Sequence, residues 1–279
     1  MGGLLEGKAV VVTGAGGGLG RAYALAAAQA GARLVLVDRT EAALTDALDD
    51  TRRAGAAAIA FPGDISAPDV GRGAVQACLA AYGRIDGLVN NAGIPHVGYS
   101  WEASDAEVAR LFGVNVLGVI AATTSALPAM VSQGAGSVVN VISGALLGMP
   151  GMALYGGSKG AVLGLTYGWA IEAADTGVRV NAISPLANTA MSAQMTDIPE
   201  HLKGPDPHAI APAVVALLAD GAAHLNGQIV RFDGTRLGLM SPPGKGPGTR
   251  RERWDARGVL AAFDGELRDD RQRVGLGSA

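Results

Sequence analysis

The sequence predicts an α/β protein, a Rossmann-type doubly wound sheet of about seven parallel strands with helices on both faces. Three observations predict it. Short, unbroken, β-branched runs such as KAVVVT (8–13), RLVLVD (33–38) and SVVNVI (137–142) read as strands buried on both sides. Longer Ala-rich stretches of helical period separate them, and strands apolar on both faces demand parallel pairing with helices over each face. No second core-sized segment is left over in the 279 residues, and no repeat of 20–50 residues recurs.

Taken in order, Lys8–Thr13 is a first strand, followed by a helix over Gly18–Ala30 that Gly31 ends. Arg33–Asp38 is the second strand and Glu41–Ala54 a helix ended by Gly55. Ala57–Pro62 is a third strand, Pro68–Tyr82 a helix and Ile85–Asn90 (IDGLVN) a fourth strand. A long helix lies within Ser104–Met130, with Ser104 as N-cap and Glu107 three residues on, the spacing of a capping box. Ser137–Ile142 is the fifth strand, Leu154–Ala174 a helix, Val178–Ser184 the sixth strand, Pro212–Leu218 a helix and Gln228–Asp233 the seventh strand.

Composition changes after Met240. SPPGKGPGT (241–249) is a Pro/Gly linker, so a catalytic domain over 1–240 and a tail over 241–279 are expected. In the tail, Val259, Leu260, Phe263 and Leu267 stand at helical spacing after Trp254, either a frayed end or a short docking helix. Arg250, Arg251 and Arg253 read as a solvated face in preference to a contact for a phosphorylated substrate.

Glycine supplies 42 positions, roughly twice its usual share, without a collagen period, while 49% of residues are apolar, which excludes collagen and disorder. Aromatic residues are only 4%, so the core must be built from Ala, Val, Leu and Ile. A net charge of −3 gives no electrostatic case for nucleic acid or an anionic membrane. The one cysteine, Cys78, excludes an internal disulfide and fits a reducing, cytoplasmic compartment. Residues 1–6 do not have the form of a signal peptide. Apolar runs are broken by glycine and charge well before 18 residues, so no transmembrane helix is expected. No metal site is expected.

Chemistry enters at TGAGGGLG (13–20), which follows the first strand and opens the first helix, the context a dinucleotide turn requires. Gly14 makes the tight turn, and the glycines after it let a pyrophosphate approach N–H groups at a helix N-terminus. Both TGxxxGxG (Gly14, Gly18, Gly20) and TGxxGxxG (Gly14, Gly17, Gly20) fit the letters. Asp38 ends the second strand, where a carboxylate bonds ribose hydroxyls and repels a 2′-phosphate, so NAD is favoured over NADP. Arg39 is the counter-indication, since a guanidinium forks onto phosphate. Asp64, in GDIS, reads equally as an adenine contact or as a cap for the next helix.

Tyr155 and Lys159 lie four apart and share one helix face. Ser143 ends the fifth strand twelve residues before Tyr155, NNAG (90–93) follows the fourth, and Asn115 stands mid-helix in FGVNVLG, where an amide does nothing for packing. All fall at the carboxyl ends of parallel strands or on adjoining helices, where such sheets bind ligands.

With TGAGGGLG, Asp38, Asp64, NNAG, Asn115, Ser143, YGGSK (155–159) and NAISP (181–185) in this order, the sequence resembles the short-chain dehydrogenase/reductase family over about residues 5–240. NNAG, the YxxxK placement and the lack of a C-terminal substrate domain match the branch of about 250 residues, whose turn is TGxxxGxG. The resemblance implies Tyr155 as general acid/base, Lys159 lowering its pKa and holding nicotinamide ribose, Ser143 bonding the substrate oxygen, and Asn115 keeping a water in a proton relay. It also implies cofactor contacts at Gly14, Gly18, Leu19, Gly20, Asp38, Arg39, Asp64, Ile65, Asn90, Ala92, Gly93, Tyr155, Lys159, Pro185 and Thr189. Departures are a short Ser143–Tyr155 gap and Leu186 where the family usually has glycine. PLANTAM (185–191) is similar instead to members acting on 3-hydroxyacyl-CoA, as is the tail with Trp254.

Leu146, Leu147, Met149, Leu154, Met191 and Met195 read equally as the lining of an apolar substrate pocket or as plain core, with His96 either a polar contact in the pocket or an incidental loop residue. The expected activity is hydride transfer between NAD(H) and a bulky or hydrophobic secondary alcohol or ketone. The alternatives are an NADPH-dependent 3-oxoacyl reductase and a non-catalytic cofactor-binding scaffold. The small, apolar run Gly156–Leu165 suits close helix pairing, so a homotetramer or dimer is expected.

Overall fold

A computed structural model describes residues 2–188, 204–243, 249–250, 253 and 255–267. Among them, eight strands form one sheet in the order β3-β2-β1-β4-β5-β6-β7-β8. The strands are β1 (Ala9–Thr13), β2 (Arg33–Asp38), β3 (Ala58–Pro62), β4 (Gly87–Asn90), β5 (Gly136–Val141), β6 (Val178–Pro185), β7 (Ile229–Phe232) and β8 (Leu237–Leu239). The first seven run parallel, and the order reverses between β1 and β4, which opens a crevice at their carboxyl ends.

The strand alternation divides the core in two. Val10 and Val12 of β1, with Leu34 and Leu36 of β2, join α1 (Gly18–Gln29), α2 (Glu41–Arg53) and α7 (Pro207–Leu218) on one face. Ala9, Val11, Val35 and Val37 point the other way, to α3 (Pro68–Tyr82), α5 (Gly118–Gln133) and α6 (Ala153–Glu172). Alanine does much of the filling, as Ala22, Ala24, Ala27 and Ala28 do along α1. Small side chains let the helices sit close to the sheet, which is how a core with few aromatics stays dense.

Several boundaries differ from the sequence reading. β8 was not expected, and it pairs antiparallel with β7. Its hairpin is set by Asp233, whose Oδ1 accepts from the N–H groups of Thr235 (2.9 Å) and Arg236 (2.7 Å), with Gly234 at φ +90°. β4 starts two residues late because Asp86 is drawn off the strand: its carboxylate takes the Ala9 N–H at 2.9 Å and pairs with Arg84. α7 starts at Pro207, five residues early, because Asp206 caps it through the His208 N–H and proline is well placed at the first helical position.

The long helix is continuous but not uniform. α4 (Asp105–Phe112) opens on the capping box of Ser104 and Glu107, a π-helical turn follows at Gly113–Leu117, and α5 continues to Gln133. The glycines therefore do not interrupt this run, contrary to the sequence reading, and its 29 residues are long and apolar enough to cross a bilayer. Here its inner side, with Ala121, Ala122, Ala126 and Met130, covers β4 and β5 and packs against α3. Further along the chain, α8 (Ala256–Asp264) buries Ala262 and exposes Leu260 and Phe263.

Candidate active site

The first wall of the crevice is backbone. Gly14 and Gly18 take φ of +64° and +50°, a region L side chains rarely adopt. A Cβ on Gly14 would come within 2.8 Å of Ala92 Cα, and one on Gly20 would run into the Gly14 carbonyl oxygen. Gly17 meets nothing within 4 Å, so of the two glycine spacings it is Gly14, Gly18 and Gly20 that is constrained, with Gly16 held as well by Asp38. Gly17 is the N-cap of α1 and brings no capping side chain. The N–H groups of Gly18, Leu19 and Gly20 accordingly lack an intrahelical acceptor and face an anion-binding position. That uncapped, side-chain-free turn fits the pyrophosphate of a dinucleotide.

Asp38 closes the turn on its outer side. Its two carboxylate oxygens accept from Gly16 N–H (2.9 Å) and Thr40 N–H (3.0 Å), and a Cβ on Gly16 would approach Asp38 Cγ to 2.9 Å. Each oxygen keeps a further lone pair for a ribose hydroxyl. Arg39 is exposed beside it. Asp64 accepts from the Ser66 N–H at 2.9 Å, while α3 is capped at Ala67, so Asp64 stabilises the turn and does not cap the helix. The Ser66 bonds, backed by the charges of Arg110 and Arg39, hold its carboxyl below the usual range. Ile65 is buried, its carbonyl and side chain against Gly118 of α5.

NNAG splits its work. The Asn90 amide turns into the protein, donating to Thr123 Oγ1 at 2.9 Å and Asn140 Oδ1 at 2.8 Å. Asn91 and Thr13 tie this loop to the glycine turn. Asn91 Nδ2 donates to the Thr13 and Gly14 carbonyls at 3.0 and 3.1 Å, and Thr13 Oγ1 accepts from the N–H groups of Asn91 and Ala92, both at 3.1 Å. Ala92 is half-buried against the core on the α3–α5–α6 side. Gly93 places its backbone beside the catalytic candidates, since a Cβ there would lie 3.3 Å from Lys159 Nζ and 3.4 Å from Asn115 Oδ1.

Asn115 occupies the π-turn and is fully buried. Its Oδ1 accepts from Ile94 N–H at 2.8 Å, and its Nδ2 donates to Ile94 O and Ser158 Oγ, both at 3.0 Å. Ser158 in turn donates to Tyr155 O at 2.7 Å. The amide thus clamps the chain after NNAG onto the helix that carries Tyr155 and Lys159.

Ser143 leaves β5 and opens a 3₁₀ turn at Gly144–Leu147, accepting from Ala145 N–H at 3.2 Å. Gly156 lets α6 abut this turn, for a Cβ there would stand 2.5 Å from Ala145 O. Tyr155 is thereby brought into hydrogen-bond contact with Ser143. Lys159 Nζ donates to Val141 O at 2.9 Å and lies 5.8 Å from the Tyr155 ring centroid. Burial raises the Tyr155 pKa, with the Ser143 bond opposing it, and burial alone pushes Lys159 down to about 8. The surroundings of the protein alone therefore favour the neutral phenol.

On the substrate side, Met149 packs with Leu111, Ala145, Met152 and Tyr155, whereas Leu146 joins the main core of that face. His96 is half-buried, and its Nδ1 is enclosed without a hydrogen-bond partner in the structure. Pro185 ends β6; Thr189, Met191 and Met195 lie outside the described residues, as does Trp254. Thr13, Asn91 and Ser158 have no role in the sequence reading, and Gly16 has none beyond that of the glycine turn. Three of them stand inside the quoted motifs TGAGGGLG and NNAG, and Ser158 lies within YGGSK, so position was their signal.

A family model described as short chain dehydrogenase matches residues 8–199. The chain is 32% identical over 241 residues to the 3-oxoacyl-(acyl-carrier-protein) reductase FabG of Thermotoga maritima, covering 82% of this chain and 98% of that protein. Among solved structures, a short chain dehydrogenase from Mycobacterium avium superposes with a TM-score of 0.86 at 30% identity, covering 98% of both chains. NAD+-bound xylitol dehydrogenase superposes with a TM-score of 0.76 at 29% identity, over 82% of this chain and 99% of that one.

Proposed function

The chain belongs to the short-chain dehydrogenase family, oxidoreductases that act on alcohols and ketones with a nicotinamide dinucleotide, and on that premise we propose that it is an NAD-dependent secondary-alcohol dehydrogenase or ketone reductase with Tyr155 as general acid/base. The observation that carries the reading is the Ser143–Tyr155 hydrogen bond with Lys159 buried one turn along the same helix. Ser143 would hold the substrate oxygen and the phenol in one plane of hydrogen bonds. Tyr155 would take the hydroxyl proton during oxidation and return it during reduction. The Lys159 cation would favour the phenolate, offsetting the burial that raises the phenol. The dinucleotide, when bound, supplies the hydride acceptor or donor. Its pyrophosphate would lie on Gly14–Gly20, its ribose on Asp38, and its nicotinamide end beside Lys159 and Gly93.

Asp38 supports NAD over NADP, since its fixed carboxylate would repel a 2′-phosphate. The test is kcat/KM with both cofactors for the wild type and Asp38→Ala. The wild type should prefer NAD, and the variant should gain on the order of 10-fold or more with NADP. A wild-type preference for NADP would favour the 3-oxoacyl reductase reading, which Arg39 and the likeness to FabG support. Mechanistically, Tyr155→Phe should lose at least ~10³-fold in kcat in a cofactor-coupled assay across cyclic ketones, polyols and acyl thioesters, while still quenching with NADH. Unchanged turnover would exclude Tyr155 as the acid/base.

The half-buried Leu146 and Met149 support a hydrophobic substrate. The division into a catalytic domain over 1–240 and a tail over 241–279 is supported by the sheet ending at Leu239. A reducing, cytoplasmic location is supported by Cys78 being buried and free. Self-association through α6, as dimer or tetramer, is supported by its outer face, where Gly157, Gly160, Gly164 and Gly168 meet nothing within 4 Å and Ile171 is 78% exposed.

A further inference from the structure

Four side chains form a continuous buried chain of hydrogen bonds on the face of the sheet covered by α3, α5 and α6. Thr123 on α5 accepts from Asn90 Nδ2 on β4 at 2.9 Å, and the same amide donates to Asn140 Oδ1 on β5 at 2.8 Å. Asn140 Nδ2 donates to Thr166 Oγ1 on α6 at 2.9 Å, and the Thr166 hydroxyl donates to Val162 O at 2.8 Å. None of the four is more than 2% exposed, and their neighbours on this face are apolar.

Stability alone does not account for such a chain. Apolar residues of the same shape would be nearly neutral, whereas each amide or hydroxyl left half-satisfied in the core is destabilising. Its geometry does something an apolar contact cannot. Thr166 lies seven residues, or two turns, after Lys159 on the inner side of α6, and its partner Asn140 is the residue next to Val141, whose carbonyl receives Lys159 Nζ. The helix therefore has two polar tethers to adjacent residues of β5. A lysine has a long stem that follows small movements. The short Asn140–Thr166 pair breaks when the helix slides or turns by a fraction of a residue.

We propose that Asn140 and Thr166 are positioning residues for the reaction: they fix the register of α6 on β5, and so hold Tyr155 and Lys159 in place against Ser143. This rests on the reading of Tyr155 as acid/base, and among the described residues the polar groups placed near the phenol are Lys159 on its own helix and the Ser143 hydroxyl after β5.

The test reads Tyr155 directly. Tyrosinate absorbance is titrated in saturating NAD+, and the curve of Tyr155→Phe is subtracted to isolate the one phenol. Thr166→Val, which keeps shape and removes the hydroxyl, should move the Tyr155 transition to higher pH by about half a pH unit or more, because Lys159 no longer sits where it favours phenolate. Thr166→Ser should restore the wild-type curve. Thr123→Val cuts the other end of the chain and should lower Tm while leaving the transition in place. Should the valine variant not fold, Thr166→Ala makes the same cut with less bulk and is read in the same way. A wild-type transition in the Thr166 variants, or an equal shift in Thr123→Val, overturns the proposal. Failure of the acid/base reading is seen separately, as turnover retained by Tyr155→Phe.

Discussion

The two walls of the crevice are made differently. The turn between β1 and α1 is made of backbone: Gly14 and Gly20 exclude a Cβ, Gly18 needs a left-handed φ, and the side chains of Asp38 and Asn91 fix the loop from outside. The wall opposite is made of buried side chains. Asn115, Ser143, Tyr155, Ser158 and Lys159 are held by hydrogen bonds to one another and to the carbonyls of Ile94 and Val141. Sterics shape the first wall, where a single methyl group is decisive. Desolvation shapes the second, where a phenol is pushed up and an ammonium down by burial. The two walls should therefore fail in different ways.

The largest expected effect lies on the backbone wall. In Gly20→Ala the new Cβ meets both the Gly14 carbonyl and Asn91 Nδ2, which are hydrogen-bonded to each other. A loss on the order of 3 kcal/mol or more in denaturant unfolding is expected, together with loss of NADH binding. Gly17→Ala is the control three residues away. Its φ of −162° suits any residue and its Cβ meets nothing within 4 Å, so stability should change by no more than about 0.5 kcal/mol. Equal damage at both positions would mean that the turn obeys the other glycine spacing.

The side-chain wall should show the opposite sign, with stability gained as function is lost. Lys159 has its pKa pushed down to about 8 in the folded protein, against about 10.4 for an exposed lysine. The unfolded chain then binds the proton more tightly, so the charge costs folding free energy at neutral pH, and that cost fades as pH rises from 8 towards the unfolded value. Lys159→Met should unfold at higher denaturant at pH 7, by about 2–3 kcal/mol, with turnover abolished. The difference from wild type should shrink between pH 8 and about 10.4, where the lysine loses its charge in the native state first. A constant difference across that window would mean that lost packing, and not the buried charge, sets the effect.

This contrast explains what was legible in the sequence. The parallel strands and their helices could be read because each strand is an unbroken apolar run, and the glycine turn because its requirement is one of spacing. Residue types at the side-chain wall were equally legible, in Asn115, Ser143, Tyr155 and Lys159. Their partners were not. Nothing local in FGVNVLG tells that Asn115 lies in a π-turn, because that geometry is enforced by bonds to Ile94 and Ser158, 21 and 43 residues away in the chain. Asn90 stood in a cofactor-like motif, yet its amide faces Thr123 and Asn140 from neighbouring elements. The hairpin to β8 had a local signal in Asp233-Gly234, and only the shortness of the three-residue strand hid it.

The smallest effect concerns the side of α6 that faces away from both walls. Gly156 and Gly164 lie on one helix, but Gly156 abuts the Ala145 carbonyl and Gly164 is exposed with nothing within 4 Å. Glycine in a helix costs about 1 kcal/mol relative to alanine, so Gly164→Ala should stabilise a dilute subunit by about that amount. If α6 pairs with α6 of a second copy, the same methyl group holds the two backbones apart, and the assembly should weaken by about 10-fold in Kd. Light scattering and unfolding across a dilution series separate the two terms, because only the second depends on concentration. Dissociation at lower dilution than wild type, with a more stable monomer, is the expected result. An assembly of unchanged Kd, more stable at every concentration, would place the interface elsewhere on the subunit and leave the glycine stripe of α6 facing solvent.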